Sequence, residues 1–426
     1  MKLLRSFSIY TIASFINKGM MFAIIPFLTN VITPEQNGII SLYGVFVLFV
    51  IPFTLLGFPN SIVIEYSRLN KIEFKSFFSS SLLLSSLSFI ILFIIFFFSG
   101  KYIAVFFGIP YKLLLWGMFF IYFNVFFEGI LAYLRTIDKP MAFVSVSFAK
   151  NLLELVLIIF LVIQHKMGAE GKVLAGVLAG LAITAYAIIY FYKNDLFTAN
   201  INKKYLTNEL KFGISQIFFL LNLFVLSSAD KFLINRLLND KPGLGIYFVA
   251  NQFAFIINVI GAAFYFSFQP VLYNYLSNLT VEVKYKLVKI KYIFIATLLI
   301  CTILLTIATP VFYKLFIKNM AYHSGIKYVI WNAFGYFFWG LYAIFLSYFY
   351  YYRKNRVVII MSVYSVIICL LSNYLLIKRF NIMGAAYANL LTNFVLFITI
   401  FITVNKLFKF QFPWLDYKLL FKKNIA

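Results

Sequence analysis

Charged side chains are scarce in this chain. Of its 426 residues only 12% are charged and 63% are hydrophobic, whereas a soluble globular protein is about a quarter charged and about half apolar. This composition excludes a disordered chain, because far too much apolar surface would be left in water. It also excludes a soluble enzyme with a membrane tail, since no long segment returns to ordinary composition. The sequence therefore predicts an all-α integral membrane protein.

Cysteine and histidine are also nearly absent. Cys301 and Cys369 both lie in apolar runs, which excludes a disulfide framework and a cysteine-based metal site. His165 and His323 lie in predicted loops far apart in the sequence. No HExxH pattern accompanies them, which argues against a zinc enzyme. These absences predict no metal site. We also expect no cofactor and no enzymatic activity.

Acidic residues are few beside basic ones. The chain has 13 Asp and Glu against 37 Lys and Arg, a formal net charge of +24. Because loops on the cytoplasmic side of membrane proteins are rich in Lys and Arg, this charge indicates membrane lipids and not nucleic acid as the surroundings. Basic residues favour one set of alternate loops by roughly two to one, which predicts that both termini are cytoplasmic.

Long uncharged windows define most of the predicted membrane spans, since a crossing helix needs about 20 mostly apolar residues. These windows are 36–64, 76–100, 173–192, 212–229, 242–281, 292–313, 328–352, 357–377 and 380–405. Three further apolar stretches contain internal charges, 7–30, 113–134 and 141–163. Together they predict about twelve spans. In the longest window, Gln269-Pro270 and the polar residues after it predict a helix that ends near residue 268.

Two weak internal matches suggest that the chain is duplicated. Residues 27–38 read FLTNVITPEQNG and residues 232–243 read FLINRLLNDKPG; residues 171–178 read GKVLAGVL and residues 384–391 read GAAYANLL. Such matches favour two six-helix lobes related by a pseudo-repeat. The predicted divisions are an N-terminal lobe at 1–192, a cytoplasmic linker at 193–211, a C-terminal lobe at 212–404 and a basic cytoplasmic tail at 405–426.

Three segments resemble those of a known family. SSADKFLINRL (227–237) with GIYFVANQFAFIINVI (245–260), NKGMMFAIIPFLTNVITPEQNGIISLYG (17–44) and SNYLLIKRFNIMGAAYANL (372–390) are similar in order and spacing to polysaccharide and O-antigen flippases. These belong to the superfamily that also holds MATE drug exporters and lipid II flippases. The last segment departs from the family pattern, because it lacks the Pro-Gly turn that often follows span 11.

The resemblance implies a MATE-like fold and an alternating-access mechanism. It also implies a substrate, an undecaprenyl-diphosphate-linked oligosaccharide such as an O-antigen repeat unit, moved across the bacterial inner membrane during lipopolysaccharide or other surface polysaccharide synthesis. The expected partners are that lipid-linked glycan, membrane lipids and a glycan polymerase with its chain-length regulator.

Four charged residues stand inside predicted spans, all in the first half: Lys18, Glu128, Lys150 and Glu154. A charge at the bilayer centre costs about 2.5–3.5 kcal/mol on insertion scales, so each should face protein or water. Helical spacing places them on polar stripes. The stripes are Ser147, Lys150, Asn151 and Glu154 on span 5, Asn124, Glu128 and Arg135 on span 4, and Ser14 and Lys18 on span 1. We expect the stripes to converge on one aqueous cavity.

The predicted substrate-binding set has distinct roles. It consists of Lys18, Asn124, Glu128, Ser147, Lys150, Asn151, Glu154, Asp230 and Lys231. The two intramembrane lysines would bind the diphosphate as point charges. The carboxylates would pair with the lysines when substrate is absent and could carry a proton, while the amides would bind sugar hydroxyls.

Structural interpretations of the same residues stay open. Lys150 and Glu154 have the spacing of a direct ion pair and could be a self-neutralising lock. Glu128 could pair with Lys18 between spans. Asp230 and Lys231, at the end of span 7, could be a boundary pair near the external surface.

Two other function classes compete with a flippase. A MATE-type, ion-coupled exporter of small cationic molecules would use anionic residues in its cavity, and the balance of two lysines and two carboxylates does not decide between them. A glycan polymerase or acyltransferase would need a catalytic set in a large loop, and no predicted loop is large enough to hold one.

Overall fold

The computed structural model describes residues 19–20, 24–277 and 280–407, and these residues form helices joined by short turns. Within them the helices are α1 (Ile25–Val31), α2 (Pro34–Leu55), α3 (Phe58–Tyr66), α4 (Lys71–Phe107), α5 (Tyr111–Thr136), α6 (Pro140–Ile158), α7 (Gly168–Lys193), α8 (Lys203–Leu238), α9 (Lys241–Ser277), α10 (Val281–Phe316), α11 (Ile326–Tyr351), α12 (Asn355–Phe380) and α13 (Ile382–Leu407). The described residues contain no β-strand, so the predicted all-α fold is confirmed.

Eleven helical segments of the described residues are long and apolar enough to cross a membrane. Helices α2 and α3 together make the first of them, Pro34–Tyr66, and α6 with a following π-helical turn makes Pro140–Gln164. They correspond one to one with the predicted spans from the second to the twelfth. Most of the predicted first span, 7–30, lies outside the described residues. The chain is a multi-pass membrane protein.

Local signals set the helix ends. Thr33 and Gln36 form a reciprocal capping box at the start of α2, and Asn70 and Glu73 do the same at the start of α4. Such boxes satisfy backbone N–H groups that have no partner within the helix. Helix α4 ends at Gly108, whose φ of +73° suits a residue without a Cβ.

The prediction that the long window 242–281 holds a helix ending near residue 268 is wrong. Helix α9 continues through Pro270 to Ser277. Gln269 donates hydrogen bonds from Nε2 to the hydroxyls of Tyr265 (3.2 Å) and Tyr273 (2.9 Å), one turn before and one turn after it. These bonds join the two sides of the proline, and membrane helices tolerate proline where neighbouring groups supply such partners.

The chain divides into two compact units, residues 1–248 and 249–426, and the boundary falls inside α9. We call them the first unit and the second unit. The division into lobes at 1–192 and 212–404, with a tail at 405–426, stays a prediction; α8 begins at Lys203, inside the predicted linker 193–211.

Very close backbone contacts join α2 to the first turns of α9, within the first unit. A Cβ on Gly38 would overlap the carbonyl of Lys241, and one on Gly245 would overlap the carbonyl of Pro34. Only glycine permits such an approach. The two matching sequence segments, 27–38 and 232–243, therefore meet where each opens its helix.

Candidate functional site

An ion cluster lies buried between helices of the first unit. Lys150 and Glu154 stand one turn apart on α6, with 3.2 Å between Nζ and Oε2, and their side chains are only 11% and 9% exposed. Lys172 of α7 approaches the other carboxylate oxygen, Oε1, at 3.3 Å. One carboxylate is thus shared by two ammonium groups. We refer to Lys150, Glu154 and Lys172 as the ion cluster.

Aromatic and small residues surround the ion cluster. The ammonium of Lys150 lies 5.3 Å from the ring centre of Phe127 and 5.7 Å from that of Phe120, both on α5. Ring faces attract cations most strongly where water is excluded. On α7, a Cβ at Gly176 would lie 3.8 Å from Oε1 of Glu154. Among the described residues the buried hydroxyl of Tyr43, which interacts electrostatically with Glu154, has no hydrogen-bond partner.

The electrostatics of the ion cluster follow from its composition. Removing two charges from water costs several kcal/mol per ion, which a close counter-charge and further hydrogen bonds offset. Glu154 provides both lysines with such a partner. Because two ammonium groups face one carboxylate, the cluster has a net charge of +1. Its surplus charge can attract an anion.

Glu128 differs from Glu154 in its surroundings. It lies on α5, partly buried, and interacts electrostatically with Arg135 and Lys150. Within the ranges that the structure describes it makes neither a hydrogen bond nor an ion pair. Lys18, its predicted partner, lies outside the described residues, as do Ser14 and the rest of that stripe.

The other polar residues of the two stripes bond mostly within their own helices. Asn124 donates from Nδ2 to the carbonyl of Phe120 (2.9 Å), and Ser147 donates from Oγ to the carbonyl of Val144 (3.0 Å). Asn151 is partly buried, and in the described part of the chain its amide has no hydrogen-bond partner. The side-chain amide of Asn151, on α6, is therefore available to a ligand.

Asp230 and Lys231 form a separate, local pair. Lys231 Nζ lies 3.2 Å from Asp230 Oδ1 and donates to the carbonyl of Ser227 at 2.6 Å. The hydroxyl of Tyr247 donates to Asp230 Oδ2 at 2.8 Å and so joins α9 to α8. In the described structure neither residue shares a hydrogen bond or an ion pair with the ion cluster. These contacts account for both charges by local structure.

Sequence reasoning missed two lysines inside helices, the half-buried Lys172 and the buried Lys291. Both lie one residue before the uncharged windows 173–192 and 292–313, because each window begins after a charged residue. Lys172 stands in the second turn of α7 and reaches Glu154, and the spacing of Gly176 one turn later could have indicated that shared face. Lys291 is buried on α10, with its ammonium 4.4 Å from the ring centre of Tyr348.

No group of three or more metal-ligating side chains occurs in the part of the chain that the structure describes. Eleven helical segments of the described residues are long and apolar enough to cross a membrane, and buried charge lies between helices of the first unit, which together define a multi-pass helical membrane protein. Residues 3–280 match the sequence profile of a family described as "Polysaccharide biosynthesis protein", and the chain belongs to that family.

Solved structures with a similar fold are transporters. A structure described as lipid II flippase MurJ in an inward closed conformation has a TM-score of 0.75 and 16% identity, and the match covers 93% of this chain and 87% of that one. A multidrug resistance MATE family transporter of the MOP superfamily, in an inward-facing conformation, has a TM-score of 0.68 and 13% identity, with 91% and 94% covered.

An archaeal structure extends this comparison. A MOP superfamily transporter from Pyrococcus furiosus, described as having a binding pocket of reverse polarity, has a TM-score of 0.58 and 13% identity, with 95% of each chain covered. Such identities establish the fold alone, and the predicted MATE-like fold is confirmed. A search of curated protein sequences finds no match.

Proposed function

We propose that this protein is a flippase that moves an undecaprenyl-diphosphate-linked oligosaccharide across the bacterial cytoplasmic membrane by alternating access. Membership of the polysaccharide biosynthesis family and the transporter fold support this proposal. O-antigen repeat units, or another surface polysaccharide, are the proposed cargo. The proposal includes no catalytic step.

The observation that carries the proposal is the surplus positive charge of the ion cluster. A diphosphate cannot cross hydrocarbon without compensation of its charge. Lys150 and Lys172 together offer two ammonium groups, and among the described residues Glu154 is the one carboxylate within ion-pair distance of them. An arriving diphosphate would displace Glu154 from one or both lysines. Lys18 is proposed to add a third ammonium from span 1.

The remaining predicted residues take supporting roles in this proposal. Asn151 and Asn124 would donate to phosphate or sugar oxygens, and Ser147 would assist on the same face of α6. Glu128 would balance Lys150 when the site is empty. For Asp230 and Lys231 the local contacts favour a structural role at the end of α8.

Location and partners follow from the same proposal. Both termini would face the cytoplasm, as the distribution of basic residues between alternate loops predicts. The translocated glycan would pass to a polymerase and its chain-length regulator on the outer face.

Lys150→Ala tests the diphosphate role directly. Glu154 keeps Lys172 as its partner in this variant, so the fold should persist. We expect loss of surface polysaccharide in a complementation assay, with normal protein abundance in the membrane. Lys112→Ala is the matched control, because Lys112 forms a more exposed ion pair with Glu170 in the same unit. Full complementation by Lys150→Ala and Lys172→Ala would remove the proposed role, and a fall in abundance alone would favour the structural lock.

A second candidate function, ion-coupled export of small cationic molecules, is favoured by one observation. Glu128 is a partly buried carboxylate that makes no hydrogen bond or ion pair among the described residues. Such a carboxylate can provide the counter-charge for a bound cation. Under this alternative the chain would export a cationic dye such as ethidium from cells that lack their own exporters. Glu128→Gln would abolish that efflux and leave surface polysaccharide unchanged.

A further inference from the structure

A chain of amide side chains joins two helices of the second unit. Asn393 donates from Nδ2 to Asn389 Oδ1 (2.6 Å), Asn389 donates from Nδ2 to Asn332 Oδ1 (2.7 Å), and Asn332 donates to the carbonyl of Tyr328 (3.1 Å). The donors all run in one direction, from α13 to α11. We call Asn332, Asn389 and Asn393 the amide ladder.

A third helix contributes to the same surroundings. Tyr336, one turn after Asn332 on α11, donates from its hydroxyl to Asn251 Oδ1 of α9 at 2.7 Å. Its ring meets the ring of Phe255, one turn after Asn251, with 5.5 Å between the ring centres. Phe255 is 37% exposed. Polar and aromatic groups from α9, α11 and α13 thus lie next to one another.

The three helices themselves contribute no charged side chain to this region; the ammonium of Lys291 on α10 lies against Tyr348, about three turns after Tyr336 on α11. The segments 249–277, 328–351 and 382–405 of these three helices contain no Asp, Glu, Lys or Arg. An ionic ligand would therefore meet no counter-charge from these helices. A neutral ligand with many hydroxyl groups matches amides, since each amide offers both a donor and an acceptor.

The amide ladder is open at one end. Within the described residues the Oδ1 atom of Asn393 accepts no hydrogen bond, and Asn393 and Asn389 are both only partly buried. An unpaired amide in hydrocarbon is costly, so a polar partner must reach it. The polar contact between α12 and α13 differs, because the hydroxyls of Ser372 and Thr392 are buried and bond to each other at 2.7 Å.

We propose that the amide ladder, with Tyr336 and Phe255, binds the sugar portion of the lipid-linked glycan. The inference rests on the proposed function and adds to it a separate carbohydrate subsite. Sugar hydroxyls would donate to Oδ1 of Asn393 and accept from Nδ2 of Asn389, while the ring of Phe255 covers an apolar sugar face. A site built on such bonds discriminates strongly against ligands without the hydroxyl groups.

Two lipid ligands separate the sugar subsite from the diphosphate site. Purified full-length protein in lipid nanodiscs would be titrated with sugar-free undecaprenyl diphosphate. It would also be titrated with the lipid-linked glycan extracted from cells in which the gene for this protein has been deleted. Asn393→Leu should weaken glycan-lipid binding about tenfold, the size of one hydrogen bond, and leave binding of the sugar-free lipid unchanged. Lys150→Ala should weaken both.

Matched variants control for a purely structural effect. Thr392→Val removes a buried interhelical bond from the neighbouring position of α13 and should change neither affinity. Asn393→Ser keeps a polar group at the open end and should restore part of the glycan affinity.

Each other outcome overturns the inference. Equal losses for both lipids, or the same loss in Thr392→Val, would assign the amide ladder to helix packing. Unchanged glycan binding in Asn393→Leu would remove the subsite while the proposed function stands. Failure of the wild-type protein to bind either lipid would overturn the proposed function, and the inference with it.

Discussion

The polar side chains that join helices to one another differ in charge between the two units, although the second unit also buries the ammonium of Lys291 on α10. The first unit places a +1 ion cluster, formed by Lys150, Glu154 and Lys172, between its helices. The second unit places the neutral amide ladder between α11 and α13. In a medium of low dielectric constant charges interact strongly over several ångströms, whereas amides bind only in contact. Under the two proposals above, the ion cluster binds the diphosphate head group and the amide ladder binds the sugars attached to it.

The largest expected effect comes from removing the shared anion. Glu154→Leu leaves Lys150 and Lys172 without their carboxylate, and breaking a buried ion pair on one side costs roughly 3–5 kcal/mol. We expect a large fall in the melting temperature of the detergent-solubilised protein. Glu170→Gln, in a more exposed pair, should change the free energy of unfolding by about 0–1 kcal/mol. Equal effects of the two variants would contradict the central role of the ion cluster.

A smaller effect is expected where α2 meets α9 in the first unit. A methyl group on Gly245 would overlap the carbonyl of Pro34, and overpacking typically costs about 1–3 kcal/mol. Gly245→Ala should therefore lower both thermal stability and transport. Gly44→Ala is the matched control, since a Cβ there meets nothing within 4 Å. If the two variants have the same melting temperature, the close contact of Gly245 with Pro34 does not require glycine, and the prediction is wrong.

In the second unit the expected loss is smaller again. Asn389→Leu removes two side-chain hydrogen bonds, and polar bonds between membrane helices average about 0.6 kcal/mol with a maximum near 1.7. We predict a loss of about 1–2 kcal/mol in unfolding experiments. A loss as large as that of Glu154→Leu would mean that the amides, like the charges, are needed for folding.

The smallest effect concerns the ion pair of Lys75, near the start of α4, with the exposed Asp195. The hydrogen bond from Lys75 lowers the pKa of the Asp195 carboxyl. A depressed carboxyl pKa stabilises the protein above the unfolded-state value of about 4 and loses that contribution as the pH falls through the folded-state value. Asp195→Asn should flatten the acid limb of the stability curve only slightly, and salt should remove the difference. A shift that persists at high salt would contradict this assignment.

Span positions were largely predictable from the sequence, because crossing helices need long apolar runs. Helix α9 continues beyond its predicted end near residue 268. Gln269 bonds to Tyr265 and Tyr273 on the two sides of Pro270, and the spacing of residues in the sequence does not reveal these bonds. The pairing of Lys150 with Glu154 followed from their helical spacing and is present in the structure.

Contacts between helices were much less predictable. Lys172 reaches Glu154 from another helix, and no periodicity along one helix indicates such a partner. The amide ladder was missed for the same reason: Asn332 lies far from Asn389 and Asn393 in the sequence, and only the packing of α13 on α11 brings them together.

Sharing one carboxylate between two lysines has a consequence for the return of the empty transporter to its starting conformation. If the ion pairs of Glu154 with Lys150 and Lys172 break when a diphosphate binds, they can form again once the lipid has left. The protein without substrate then does not expose two unpaired ammonium groups to the membrane interior. Glu154 would then lower the free-energy barrier of the return step. A lipid would bind the two lysines only if its charge competes with that of Glu154. A carrier arranged this way discards ordinary phospholipids because a single phosphate competes poorly with a resident anion.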